Sequence, residues 1–91
     1  MNAQTNTPFD QHPAPQQAGI MCNDPIFQKF AAVRCGFPDQ QFGQIASAEY
    51  LRLQCEIRSR RELANNAKAQ SKFHALKTEF DAWRGRIAPQ R

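Results

Sequence analysis

The chain has 91 residues, enough for one domain with a modest core and too few for a second. Its 12 Lys and Arg against 8 Asp and Glu leave a net charge of +4. No apolar run approaches the ~20 residues that cross a bilayer, which excludes a membrane-spanning helix. The charge is unevenly placed. Through Ala46 two bases (Lys29, Arg34) stand against three acids (Asp10, Asp24, Asp39), whereas from Ser47 onward there are ten bases and five acids. The partner that such a C-terminal half attracts is an acidic protein or a phosphate backbone.

The chain opens on TNTPFDQHPAPQQAG and similar sequence, rich in Pro, Gln, Asn and Thr and poor in apolar residues. So little surface to bury cannot offset the entropy of ordering, so residues 1–21 are expected to be a disordered tail and 22–91 the folded domain. Phe9 is the one large apolar side chain before Ile20.

A first helix signal follows. Asn23 or Asp24 offers a cap, Pro25 suits the first helical position, and Gly36 and Pro38 supply the stop. Ile26, Phe30 and Val33 recur at helical spacing, with Phe27 and Ala31 beside them. Residues 37–43 read as a loop whose Phe37 and Phe42 fold back on the core. The next helix is expected from about Ser47 to Glu56, with Tyr50, Leu53 and Ile57 on its apolar face and Leu51 and Cys55 alongside.

Ser59-Arg60-Arg61-Glu62 is a capping-box pattern, which predicts that the Ser hydroxyl accepts from the Glu62 N–H while the Glu carboxylate reaches back to the Ser59 N–H. A short helical turn through Leu63 and Ala64 follows. Asn65-Asn66 then caps the longest helix, where Ala69, Phe73, Leu76, Phe80, Trp83 and Ile87 step by four and three along one face. Gln70, His74, Lys77, Asp81 and Arg84 fall on the opposite face, with Lys77 and Asp81 spaced for an ion pair. No segment alternates as a strand does. The fold class is therefore all-α: a small bundle of three to four helices behind the disordered tail. Phe73, Phe80 and Trp83 are expected to dominate its core, so that Trp83→Ala costs roughly 3–5 kcal/mol.

Little in the chain points to catalysis. His12 and His74 have no Cys or Asp placed to make either a base, no glycine-rich phosphate loop exists, and no metal-ligand cluster is spaced for binding. Cys22, Cys35 and Cys55 are odd in number and lack a CxxC spacing. With no basic-then-apolar leader at the N-terminus, they read as reduced thiols of a cytoplasmic protein, Cys55 as a buried inert one. The expectation is a non-enzyme with no cofactor.

The strongest binding candidate is a basic corner: Arg58, Arg60 and Arg61 at a helix start, Lys68 and Lys72 on the next helix, and Arg52 behind. Arginine forks bind carboxylate or phosphate bidentately. Glu56 and Glu62 flank the run and compete for it.

The stretch CEIRSRRELANNAKAQSKFHALKTEFDAW, from Cys55 onward, is similar to the C-terminal end of small phage and prophage proteins. The opening MCNDPIFQKF resembles the start of their folded part, so the likeness spans everything after the tail. It departs at Ala67, where a Pro would follow the Asn cap. The resemblance implies a small accessory protein of a mobile element, working in the cytoplasm of a bacterial host. There it would modulate a DNA-processing or defence protein, such as a CRISPR effector or a recombinase, in counter-defence or recombination. Three readings are open: a modulator that docks a larger protein of DNA metabolism or defence through the basic corner, a direct nucleic-acid binder, and a homodimeric scaffold built on the long helix.

Overall fold

The computed structural model describes residues 9–87, which form four α-helices and two 3-10 turns with no strand among the described residues. The all-α bundle read from the sequence is the fold. A 3-10 turn at Phe9–Gln11 leads into α1 (Ala14–Cys22), then α2 (Pro25–Arg34), α3 (Gln44–Cys55), a second 3-10 turn at Arg60–Ala64 and α4 (Ala67–Ile87).

The first correction is the boundary of the tail, of which residues 1–8 lie outside the described residues. Residues 14–22, assigned to that tail or its edge, are helix α1 and belong to the core: Gln17, Ala18, Met21 and Cys22 are buried. Pro15 stands in the first turn, where its missing N–H costs nothing. The buried stripe is hard to read from the residues because small Ala18 and polar Gln17 carry part of it. Gln17 is held at both ends of its amide, donating to the His12 carbonyl (2.9 Å) and accepting from the Lys77 ammonium (2.7 Å).

Helix α2 begins as predicted, with the Asp24 carboxylate accepting from the Ile26 N–H (2.9 Å) and Pro25 in the first turn. It ends in a Schellman motif. The Phe37 N–H reaches the Ala32 carbonyl (2.8 Å) and the Gly36 N–H the Val33 carbonyl (3.0 Å), with Gly36 left-handed at φ 94°. Its buried face is rotated from the expected one: Phe27, Phe30, Ala31 and Ala32 face inward, while Ile26 is exposed and Val33 half-buried. Two phenyl rings three apart bury more area than Ile26 and Val33 would, so they set the facing. In the loop, Phe42 packs against the core and Phe37 is exposed.

Helix α3 begins three residues before the expected start, at Gln44, and ends when Glu56 turns left-handed (φ 60°, ψ 46°). Tyr50, Leu51 and Cys55 are buried, and so is Ile57 just beyond; Leu53, placed on the apolar face by spacing, is 70% exposed. Asn66 caps α4, its side-chain oxygen accepting from the Ala69 N–H (3.0 Å). Ala69, Phe73, Leu76 and Phe80 are buried along one stripe, as the periodicity predicts. Ile87's side chain lies outside the described ones. Lys77 does not pair with Asp81; Gln17 draws it to the other side, where it also lies over the Phe73 ring (4.9 Å to the centroid).

The centre of the core is also shifted. Phe27, Phe30, Tyr50 and Phe80 meet from three helices, with Phe27–Phe80 edge-to-face at 5.2 Å and Phe30–Phe80 at 5.3 Å. Trp83 is only half-buried and touches this group at its margin, 5.5 Å from Phe30. Phe30→Ala should therefore cost roughly 3–5 kcal/mol and Trp83→Ala markedly less, measured by urea unfolding. An equal or larger loss for Trp83 would return the centre of the core to α4.

Ser47 is fully buried, and its hydroxyl has no hydrogen-bond partner among the described residues. Burying an unpaired hydroxyl is costly, and Ala is the better helix former. Ser47→Ala is expected to stabilise the fold by about 1 kcal/mol, read as a rise in the urea midpoint. A loss of stability would mean that the hydroxyl is satisfied.

Candidate functional site

The six basic residues singled out from the sequence divide into two groups. Arg52 comes from the last turn of α3, Arg58 from the connection after it, and Arg60 and Arg61 from the start of the second 3-10 turn. With Ser59 and the Pro15-Gln16 end of α1 they line one cleft of about 380 Å³. Lys68 and Lys72, on the first turns of α4, line no part of it. They share the Glu56 carboxylate instead, at 3.9 and 3.3 Å.

Local backbone chemistry explains why the arginines stand open. Glu62, the acid best placed to neutralise them, is committed to the main chain: its Oε2 accepts from the Arg58 N–H (2.9 Å) and the Ser59 N–H (3.1 Å). The Ser59 hydroxyl accepts in return from the Glu62 N–H, as the pattern predicts, and also from the Arg61 N–H (3.2 Å). The turn thus closes as a capping box with both arms made, and the short 3-10 helix starts from it. Glu56 is occupied by the two lysines. Arg52, Arg58, Arg60 and Arg61 consequently stand in no ion pair among the described residues, whereas Arg34 pairs with Glu79 (3.4 Å) and Arg84 with Asp24 (3.9 Å). Four like charges thus surround one concavity, with Glu56 and Glu62 otherwise engaged.

Sequence reasoning finds the arginines and misses the other wall. Pro15 and Gln16 lie in the stretch whose composition reads as tail, and only the docking of α1 on the second 3-10 turn brings them there. A second concavity, also about 380 Å³, runs between α1 and α4 with Ile20, Met21 and Phe80 in its lining. Phe9 stands at its edge, packed against the core and 5.9 Å from the Lys77 ammonium, so this aromatic of the supposed tail serves the fold. The α4 stripe on which a homodimer was to be built is buried inside the chain from Ala69 to Phe80.

No three His, Cys, Asp or Glu gather as metal ligands among the described residues, and no helix there is long and apolar enough to cross a membrane. All three cysteines are free thiols, Cys22 and Cys55 buried and Cys35 exposed. Burial pushes the Cys22 thiol up, while Arg60 and then Arg52 pull it partly back, which places both cleft arginines near α1's last residue. Burial likewise pushes Cys55 up to about 11, against the pull of Lys72.

No family model matches the chain, and no curated protein or solved structure matches it.

The thiols make this geometry measurable. Cys35 should react with a thiol reagent at once in the native protein, and Cys22 and Cys55 only on unfolding. The unfolded chain releases the Cys55 proton near its ordinary value of 9, the folded chain near 11, so that contribution to stability is whole below pH 9 and falls away between pH 9 and 11. Cys55→Ala should flatten the decline in urea midpoint over that window. Prompt labelling of all three thiols would contradict the packing of α1 and α3.

Proposed function

We infer that the chain acts by binding, docking a larger protein through the cleft formed by Arg52, Arg58, Arg60 and Arg61. The observation that carries this reading is that, among the described residues, none of the four arginines pairs with an acid while Glu56 and Glu62 are engaged elsewhere. An isolated cluster of four like charges raises the free energy of the folded chain and is relieved when an anionic surface covers it. The proposed partner is a protein of DNA processing or defence whose activity the docked chain modulates, in the manner of an accessory protein of a phage or prophage. Lys68 and Lys72 flank the contact and, being tied to Glu56, contribute less to it than the arginines.

A protein partner is favoured over nucleic acid by the shape and composition of the site. Single-stranded nucleic acid is held by base stacking on aromatics along a basic groove, and no aromatic side chain lines this cleft. Binding duplex DNA calls for cations distributed along the phosphates, whereas here four arginines gather at one concavity and the neighbouring Lys68 and Lys72 are paired.

The test is capture from bacterial lysate by the immobilised protein, with and without nuclease, beside a gel shift on single- and double-stranded DNA. Arg60→Glu with Arg61→Glu should abolish nuclease-resistant capture and leave the helical circular dichroism unchanged. Capture that survives the double reversal would sink the reading. A gel shift at low salt that weakens steeply as salt is raised would replace it with direct nucleic-acid binding.

A further inference from the structure

The cleft also constrains the form of its ligand, an inference that rests on the reading of the cleft as the docking surface. Ser59 is extended (φ −142°, ψ 142°), and the residues on either side of it, Arg58 and Arg60, both line the cleft. Side chains flanking one extended residue leave the backbone on the same side, about 6.6 Å apart at ~3.3 Å of rise per residue. This is the spacing of alternate side chains on one face of an extended partner segment.

The donors available to a ligand narrow its chemistry. Compact tetrahedral anions are gripped by clustered backbone N–H groups as well as side chains. Here the N–H groups of Arg58, Ser59 and Arg61 are all consumed, the first two by Glu62 and the third by the Ser59 hydroxyl. The guanidinium forks are the cleft's principal donors, and a planar fork is matched bidentately by a planar carboxylate. A cleft of about 380 Å³ has room for more than one such group. Pro15 and Gln16 close its far side without adding charge, so the wall opposite the arginines is neutral.

We propose that the cleft takes an extended acidic segment of a partner protein with carboxylates at alternate positions, acid–x–acid. One carboxylate pairs with Arg58 and the next with Arg60, while Arg52 and Arg61 strengthen the field around both. Spacing is then the determinant of specificity: acids placed side by side point to opposite faces of an extended segment, so only one can enter.

The experiment uses the full chain and three fluorescein-labelled probes in an anisotropy titration at low salt. The first is a Gly/Ser peptide with three glutamates at alternate positions, the second has the same composition with the glutamates consecutive, and the third is an oligothymidylate of similar charge. The alternate peptide should bind about tenfold more tightly than the consecutive one, and Arg58→Gln and Arg60→Gln should each weaken it about tenfold while leaving the unfolding midpoint in place. Arg34→Gln, outside the cleft, should change nothing. Equal binding of the two peptides, with both lost on Arg60→Glu and Arg61→Glu, would overturn the spacing rule and leave the docking surface standing. Preference for the oligonucleotide would overturn the choice of carboxylates. Peptide binding unaffected by any arginine variant would remove the cleft itself, and the function proposed for it.

Discussion

Everything in this fold is arranged around ring-to-ring contact between α2, α3 and α4. Phe30 alone meets Phe27 (5.8 Å), Tyr50 (6.2 Å), Phe80 (5.3 Å) and Trp83 (5.5 Å), and the Arg34 guanidinium covers its ring at 4.9 Å. In a chain this short the buried surface is limited, and four aromatic rings supply much of it in few residues. Edge-to-face geometry also restricts the angles at which the helices can cross. Once α2 is fixed against α3 and α4, small Ala18 and Cys22 allow α1 to approach closely and seal the remaining side of the core.

The basic cleft follows from that packing at one remove. The connection from α3 to α4 must reverse the chain within a few residues, and it does so by turning left-handed at Glu56 and starting the 3-10 turn at Ser59. Left-handed backbone at a residue with a Cβ is costly, and Glu56 occupies it with its carboxylate bridging Lys68 and Lys72. Glu62 commits its charge to main-chain N–H groups. Each acid of the corner is thereby assigned a structural task, and the four arginines are left without an ion pair among the described residues. The exposed charge comes from how this connection is built, with the overall +4 a minor contributor.

How much of this can be read from the residues depends on the kind of signal. The Asp24-Pro25 start, the Gly36 stop, the Ser59–Glu62 box and the α4 stripe are legible because each is a local pattern with a local cause. The α2 facing is not: Ile26, Phe27, Phe30 and Val33 support two overlapping stripes, and only neighbouring helices choose between them. Helix α1 is hidden by its composition, since Gln17 and Ala18 carry no hydrophobic signature although both are buried. For the site, the arginines are visible in the sequence. Their separation from Lys68 and Lys72, and the Pro15-Gln16 wall, depend on contacts between segments distant along the chain that no local spacing encodes.

The docking of α1 bears on the order of events during synthesis. This helix leaves the ribosome well ahead of α3 and the second 3-10 turn, the two elements it contacts most. Roughly 40 residues separate Cys22 from Leu63, a wait of about 2–8 s at common elongation rates. Until its end Met21 and Cys22 lack part of the native surface that covers them. Slow translation of the middle of the chain would lengthen the exposure, and a nascent-chain chaperone would find α1's inward face before the rest of the bundle does.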